Sequence, residues 1–121
     1  MRLPILLVLE TLENEMSEIT WFSNEVPQVN QTLPSLPVGR VVETSSEYDI
    51  YASSKPNYFT TSLQVDIWCK DLREVDKYYF KIDEVMRADN VECTYSEQTY
   101  DPDLEGSRRI IKRYTISQRV V

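Results

Sequence analysis

From Phe59 to Lys70 the chain alternates between two chemically different sets of side chains. Phe59, Thr61, Leu63, Val65, Ile67 and Cys69 fall on one side, and Thr60, Ser62, Gln64, Asp66, Trp68 and Lys70 on the other. A period of two puts successive side chains on opposite faces of a strand, so this stretch is a strand with one face toward a core. The next residues supply what that face packs against. Asp71 and Glu74 have the spacing of a helix N-cap and its N3 partner. Leu72, Val75, Tyr79, Ile82 and Met86 then recur at steps of three and four, widened by Tyr78 and Val85. The spacing predicts a helix over 72–88, ending before Asp89-Asn90. The expected core is Leu63, Val65, Ile67, Val75, Tyr79, Ile82 and Met86.

The remaining segments fit around this pair. Pro4 suits a first helical turn, and Ile5, Val8, Leu12 and Met16 follow at helical spacing, which predicts a helix over about 3–17. Residues 19–30 carry Trp21, Phe22 and Val26 and read as an edge strand stopped at Pro27. Val38 to Thr44 reads as a strand. Glu47 to Tyr58 is polar, with Tyr48, Ile50, Tyr51 and Tyr58 interspersed, and is either a long loop or a projecting ribbon. Val91, Cys93 and Tyr95 open another strand that runs to about Tyr100. The cluster Asp101-Pro102-Asp103-Leu104-Glu105-Gly106 turns the chain into a last strand from Arg108 to about Arg119, forming a hairpin. On that strand Ile110, Lys112, Tyr114 and Ile116 face one way, and Arg109, Ile111, Arg113 and Arg119 the other. The expected architecture is one α+β domain over 1–121. It is an antiparallel sheet of about four to five strands with two helices packed on one face, in the order α-β-β-β-α-β-β.

Composition narrows the chemistry. The 121 residues include no His. That removes the commonest general base, the Ser-His and Cys-His pairs and every His-containing zinc site. Gly39 and Gly106 are isolated, so no phosphate-cradling loop is present. Two cysteines, Cys69 and Cys93, read as reduced thiols rather than a disulfide framework. The acidic turn Asp101/Asp103/Glu105 resembles a fragment of a calcium loop but lacks its glycine and terminal Glu, and hairpin turns favour Asp anyway. The chain is therefore not expected to be an enzyme, and no catalytic, cofactor-binding or metal residues are assigned. The longest apolar run, Leu3 to Leu9, is far short of the roughly 20 residues a membrane span needs, and it reads as a buried helix.

Charge is uneven. The formal net charge is -7. Residues 108–121 hold Arg108, Arg109, Lys112, Arg113 and Arg119 and no acid, whereas the preceding chain is strongly acidic. Three readings stand: charges that guard an edge strand, a basic patch that meets the acidic face of another subunit, or nucleic-acid contact. Trp68 is the odd member of its polar face, either half-covered or an anchor at a contact. Tyrosine is favoured at interfaces, and three tyrosines share the 47–58 segment.

Several stretches together resemble the tail terminators of siphophages and prophages of Gram-positive bacteria. They are Leu3-Pro4-Ile5-Leu6-Leu7-Val8, Trp21-Phe22 followed by Val26-Pro27, Tyr48-Asp49-Ile50-Tyr51-Ala52-Ser53, Leu63-Gln64-Val65-Asp66-Ile67-Trp68 and Asp101-Pro102-Asp103. The resemblance implies a small α+β subunit, without catalytic motif, that assembles as a hexameric ring. Such a ring caps the tail tube and offers a surface to the head-completion or connector protein. The expected partners are other copies of the chain, the tail tube protein and that connector, with no membrane and with DNA contact confined to the ring lumen. The expected location is the virion tail, and the host cytoplasm during assembly. The candidate subunit-interface residues are Tyr48, Ile50, Tyr51, Tyr58, Trp68, Arg109 and Arg113. The alternative is a small nucleic-acid-binding or regulatory α+β domain.

Overall fold

The computed structural model describes residues 2–52 and 55–120, with the side chains of 49–52, 55 and 56 outside the description. Helix α1 (Pro4–Glu15) begins on Pro4, whose missing N–H costs nothing there. Strand β1 (Thr20–Ser23) follows, then two short 3-10 turns at Gln28–Asn30 and Leu33–Ser35. Strands β2 (Val38–Ala52) and β3 (Lys55–Cys69) form a long hairpin, so the described residues of 47–58 are a ribbon rather than a loop. Helices α2 (Leu72–Tyr79) and α3 (Lys81–Ala88) come next, and the chain closes with β4 (Glu92–Tyr100) and β5 (Arg108–Arg119).

The five strands lie in the order β1-β2-β3-β5-β4, and the helices pack on one face. The α+β layering matches the expectation, with one correction: the sheet is mixed. β1 runs parallel to β2, with Thr20 opposite Val38, and the other pairs are antiparallel. A parallel pair needs a crossover instead of a tight turn. Residues 24–37 supply it and lie over the outer sheet face, where Leu36 and Val38 are buried.

The core follows the two periodicities. Leu63, Val65, Ile67 and Cys69 of β3 pack with Ile110, Tyr114 and Ile116 of β5, Val8 and Leu12 of α1, and Val75, Ile82 and Met86 of the second helical unit. That unit is two helices broken at Phe80, not one helix over 72–88. The buried stripe is Val75, Tyr78, Ile82 and Met86, at steps of three and four. Tyr78 therefore takes the core position expected of Tyr79, which packs only part-buried at its edge, and Leu72 is exposed. The ends follow the sequence signals. Asp71 Oδ1 accepts the Glu74 N–H at 3.0 Å, and Glu74 Oε1 accepts the Lys70 N–H at 2.7 Å. Asn90, at φ 60, lets the Val91 N–H return to the Met86 carbonyl at 3.0 Å, which satisfies an orphan carbonyl of the last turn.

Two local facts yield predictions. A Cβ on Gly39 would lie 2.3 Å from Cζ3 of Trp21, whose indole N–H is tied to the Met16 carbonyl at 3.1 Å. Gly39→Ala is expected to cost about 1–3 kcal/mol by overpacking, and an unchanged urea midpoint would contradict this packing. The cysteines also differ. Cys69 lies opposite Arg108 and Cys93 opposite Tyr114, six residues apart along β5. That is about 20 Å at the strand rise, beyond the reach of a disulfide, and both thiols are free. Burial pushes the Cys69 thiol up to about 12, aided by Glu74 and Asp71. In the native protein at pH 8, a thiol reagent is expected to label the partly exposed Cys93 and to reach Cys69 only on unfolding; mass spectrometry of peptides reads both.

Candidate interaction surfaces

The outer sheet face is built around a carboxylate. Register sets Arg40 of β2 opposite Asp66 of β3, and Arg109 of β5 opposite Trp68, two residues along from Asp66. The Asp66 side chain is 0% exposed. It accepts Arg40 Nε at 2.8 Å, and Arg109 Nε and Nη2 at 3.1 and 2.8 Å. Gln64 Nε2 adds contacts at 3.2 Å. Both guanidinium carbons lie over the Trp68 ring, at 5.2 Å for Arg40 and 5.1 Å for Arg109. The indole N–H donates to Asp101 Oδ2 at 2.5 Å, which ties β3 to the β4–β5 turn. A buried carboxylate is tolerable only with such partners, and two arginines on one face of a sheet need a counter-charge between them. Sequence patterning does not single out Arg40, and it gives Asp66 and Asp101 only as a polar-face and a turn residue. The available signal was one Asp in a strand interior beside Trp68, and nothing local named its partners.

The candidate interface residues divide between two places. Trp68 and Arg109 lie together at one end of the outer face, with Arg113 four residues further along β5, opposite Gln64. Arg109 is engaged within its own subunit, and exposed Arg113 sits over the Tyr95 ring at 4.7 Å with Nε donating to Gln64 Oε1 at 3.3 Å. Tyr48 is at the far end, on the helix-bearing face, 51% exposed and tilted against Phe59 with centroids 4.9 Å apart. Tyr58 is part-buried on the outer face, opposite Arg119. The side chains of Ile50 and Tyr51 lie outside the described residues. Phe59 and Trp68 are nine residues apart, so the two groups are separated by about 30 Å along β3.

The hairpin end differs from the rest of the sheet. β1 pairs with only Val38 to Val41 of β2, so among the described residues the outer edge of β2 has no strand beyond Val41. β3 pairs with β5 as far as Tyr58. Beyond that point the ribbon has two strands. Before that point, along the free edge of β2, Glu43 and Glu47 are exposed, and Thr44 forms a bulge where register shifts. Charged residues and bulges are usual guards of a free edge.

Beneath the helices lies a second charged cluster. Lys112 is 1% exposed and its Nζ donates to Asp83 Oδ2 at 2.9 Å and Ser96 Oγ at 3.0 Å. Its Nζ also lies 3.8 Å from the Tyr79 ring centroid. The Tyr114 hydroxyl donates to Asp83 Oδ1 at 2.6 Å. Lys112 is thus a core cation, and the basic character of β5 is largely spent internally. In the acidic turn, Asp101 Oδ1 accepts the Asp103 N–H at 2.9 Å, a local turn bond. Among the described residues no group of three or more His, Cys, Asp or Glu is arranged to hold a metal ion, and no helix is long and apolar enough to cross a membrane. Family models give no match to the chain, and neither do curated proteins.

Proposed function

We propose that the chain is the ring-forming subunit of a siphophage-type tail terminator, which caps the tail tube and presents the head-joining surface. The observation that carries this reading is the separation of two unlike surfaces at opposite ends of one sheet. One end is the β2–β3 hairpin, whose β2 edge is free among the described residues and carries the exposed Tyr48. The other is an aromatic and guanidinium surface around Trp68. A closed head-to-tail ring requires two different patches on every subunit, which a symmetric dimer does not. The order of sequence stretches that resembles tail terminators supports the same reading, and the ring is expected to be a hexamer. The nucleic-acid alternative draws less support, because Arg109 and Lys112 are paired with Asp66 and Asp83 and do not form a free basic stripe.

The test is removal of the gene from the phage or prophage that encodes the chain, followed by electron microscopy of the tails. Overlong tubes, or tails of normal length that fail to join heads, are the expected result, restored by the gene in trans. Normal, joined tails in its absence would overturn the proposal.

A further inference from the structure

A cavity of about 490 Å³ lies between the outer sheet face, the 24–37 crossover and the 101–106 turn. Arg40 and Arg109 both reach it, each with about a quarter of its side chain exposed. Asp66 fixes the two guanidinium groups from below and offsets one of their two charges. The donors left over are Arg109 Nη1 and Arg40 Nη2, which have no acceptor among the described residues, and Arg40 Nη1, whose only acceptor is the Asn24 carbonyl at 3.5 Å. Val26, Leu36 and Leu104 supply apolar wall, and the Trp68 ring lies beside the arginines. Asp101 also lines the cleft, with its Oδ2 held by the Trp68 indole N–H, and the outer rim carries Glu25 and Asp103, both exposed.

We infer that this cleft binds the carboxylate of a short peptide segment, with the charge on Arg40 and Arg109 and an adjoining apolar side chain against Leu36 and Leu104. Each part follows from the chemistry of the walls. Guanidinium forks suit a planar carboxylate, and a fork held in place by a buried counter-ion loses little freedom on binding. Concave sites with apolar walls and a few convergent polar groups are where small segments bind. The volume holds a few residues, not a domain. The rim acids set the ligand's charge: one carboxylate can reach the floor, whereas phosphate dianions and nucleic-acid backbones meet repulsion from Glu25 and Asp103. The inference does not depend on the ring assembly.

The experiment is NMR titration of the full chain, read at the side-chain Nε–H signals of Arg40 and Arg109 and the indole signal of Trp68. The probes are acetyl-Gly-Leu with a free carboxylate, the same peptide amidated, and inorganic phosphate. Saturable shifts at all three signals with the free carboxylate alone are expected. Asp103→Asn leaves the floor untouched and removes a rim charge, so it should tighten binding about two- to fivefold, the range of an exposed charge interaction. Arg40→Gln should abolish the shifts, and its amide spectrum shows whether the fold persists. Equal shifts with the amidated peptide, binding of phosphate at comparable concentration, no saturable shift, or an unchanged affinity in Asp103→Asn would each overturn the inference.

Discussion

Asp83→Ala is expected to destabilise the protein by about 3–5 kcal/mol, the usual cost of removing one member of a buried ion pair. Lys112 is 1% exposed, and without Asp83 its ammonium keeps one hydrogen-bond partner among the described residues, Ser96 Oγ, beside the Tyr79 and Phe80 rings. The same substitution strips the buried Tyr114 hydroxyl of its acceptor. Lys112→Met should be far milder, because Asp83 is 18% exposed and keeps Tyr114 as a donor. Lys112→Met in the Asp83→Ala background should recover most of the loss, a strong coupling between the two sites. Urea midpoints of the four proteins decide it. A shift below about 1 kcal/mol for Asp83→Ala would show that Lys112 reaches water and that the cluster is not the buried unit described. The phenol of Tyr114 has a consequence at high pH. Burial, and then its bond to Asp83, push its pKa up from the ordinary value of 10. Its stabilisation is complete below pH 10 and is lost as pH rises toward the folded value, so alkaline unfolding should begin above that point.

Replacing Tyr48 and Tyr51 together by Ser is expected to abolish ring assembly while the monomer stays folded. Tyr48 is exposed on the free edge strand β2, just before the hairpin narrows to two strands, contacts only Phe59 among described rings, and contributes little to the core. Tyr51 is four residues from the hairpin's far strand, on the same ribbon. Buried aromatic anchors dominate interfaces, whereas exposed ion pairs are worth about 0–1 kcal/mol. The double tyrosine variant should therefore weaken assembly more than Arg113→Gln. Arg109 is no longer a clean probe of the interface, because Arg109→Gln would loosen Asp66 and Trp68 within the subunit. Complementation by the tyrosine variant should leave tails uncapped or unjoined. Tails of normal length, joined to heads, would exclude the ribbon as the interface.

What could be read from the chain was whatever a local period or a local pair encodes. Phe59 to Cys69 was legible because one face is buried along its length, so every second residue had to be apolar or small. Asp71 and Glu74 were legible because a cap acts over three residues. The parallel β1–β2 pair was not, since its direction is set by the path of the 24–37 crossover and not by the strand residues. Tyr78 and Tyr79 both fit a helical stripe with Val75, Ile82 and Met86, so spacing alone does not decide which is buried, and neither Gly nor Pro marks the junction at Phe80. Lys112 was placed on the apolar face of its strand, but its partner Asp83 lies on a helix whose phase decides the contact. The cluster of Arg40, Asp66 and Arg109 needed the register of three strands at once.

The proposed ring on the end of a tail tube can be imaged by negative-stain electron microscopy of the purified protein, alone and mixed with purified tail tubes. Closed rings with six-fold symmetry are expected, free in solution or seated on one end of each tube. Particles that remain monomers or two-fold dimers in both samples, with tube ends bare, would contradict it.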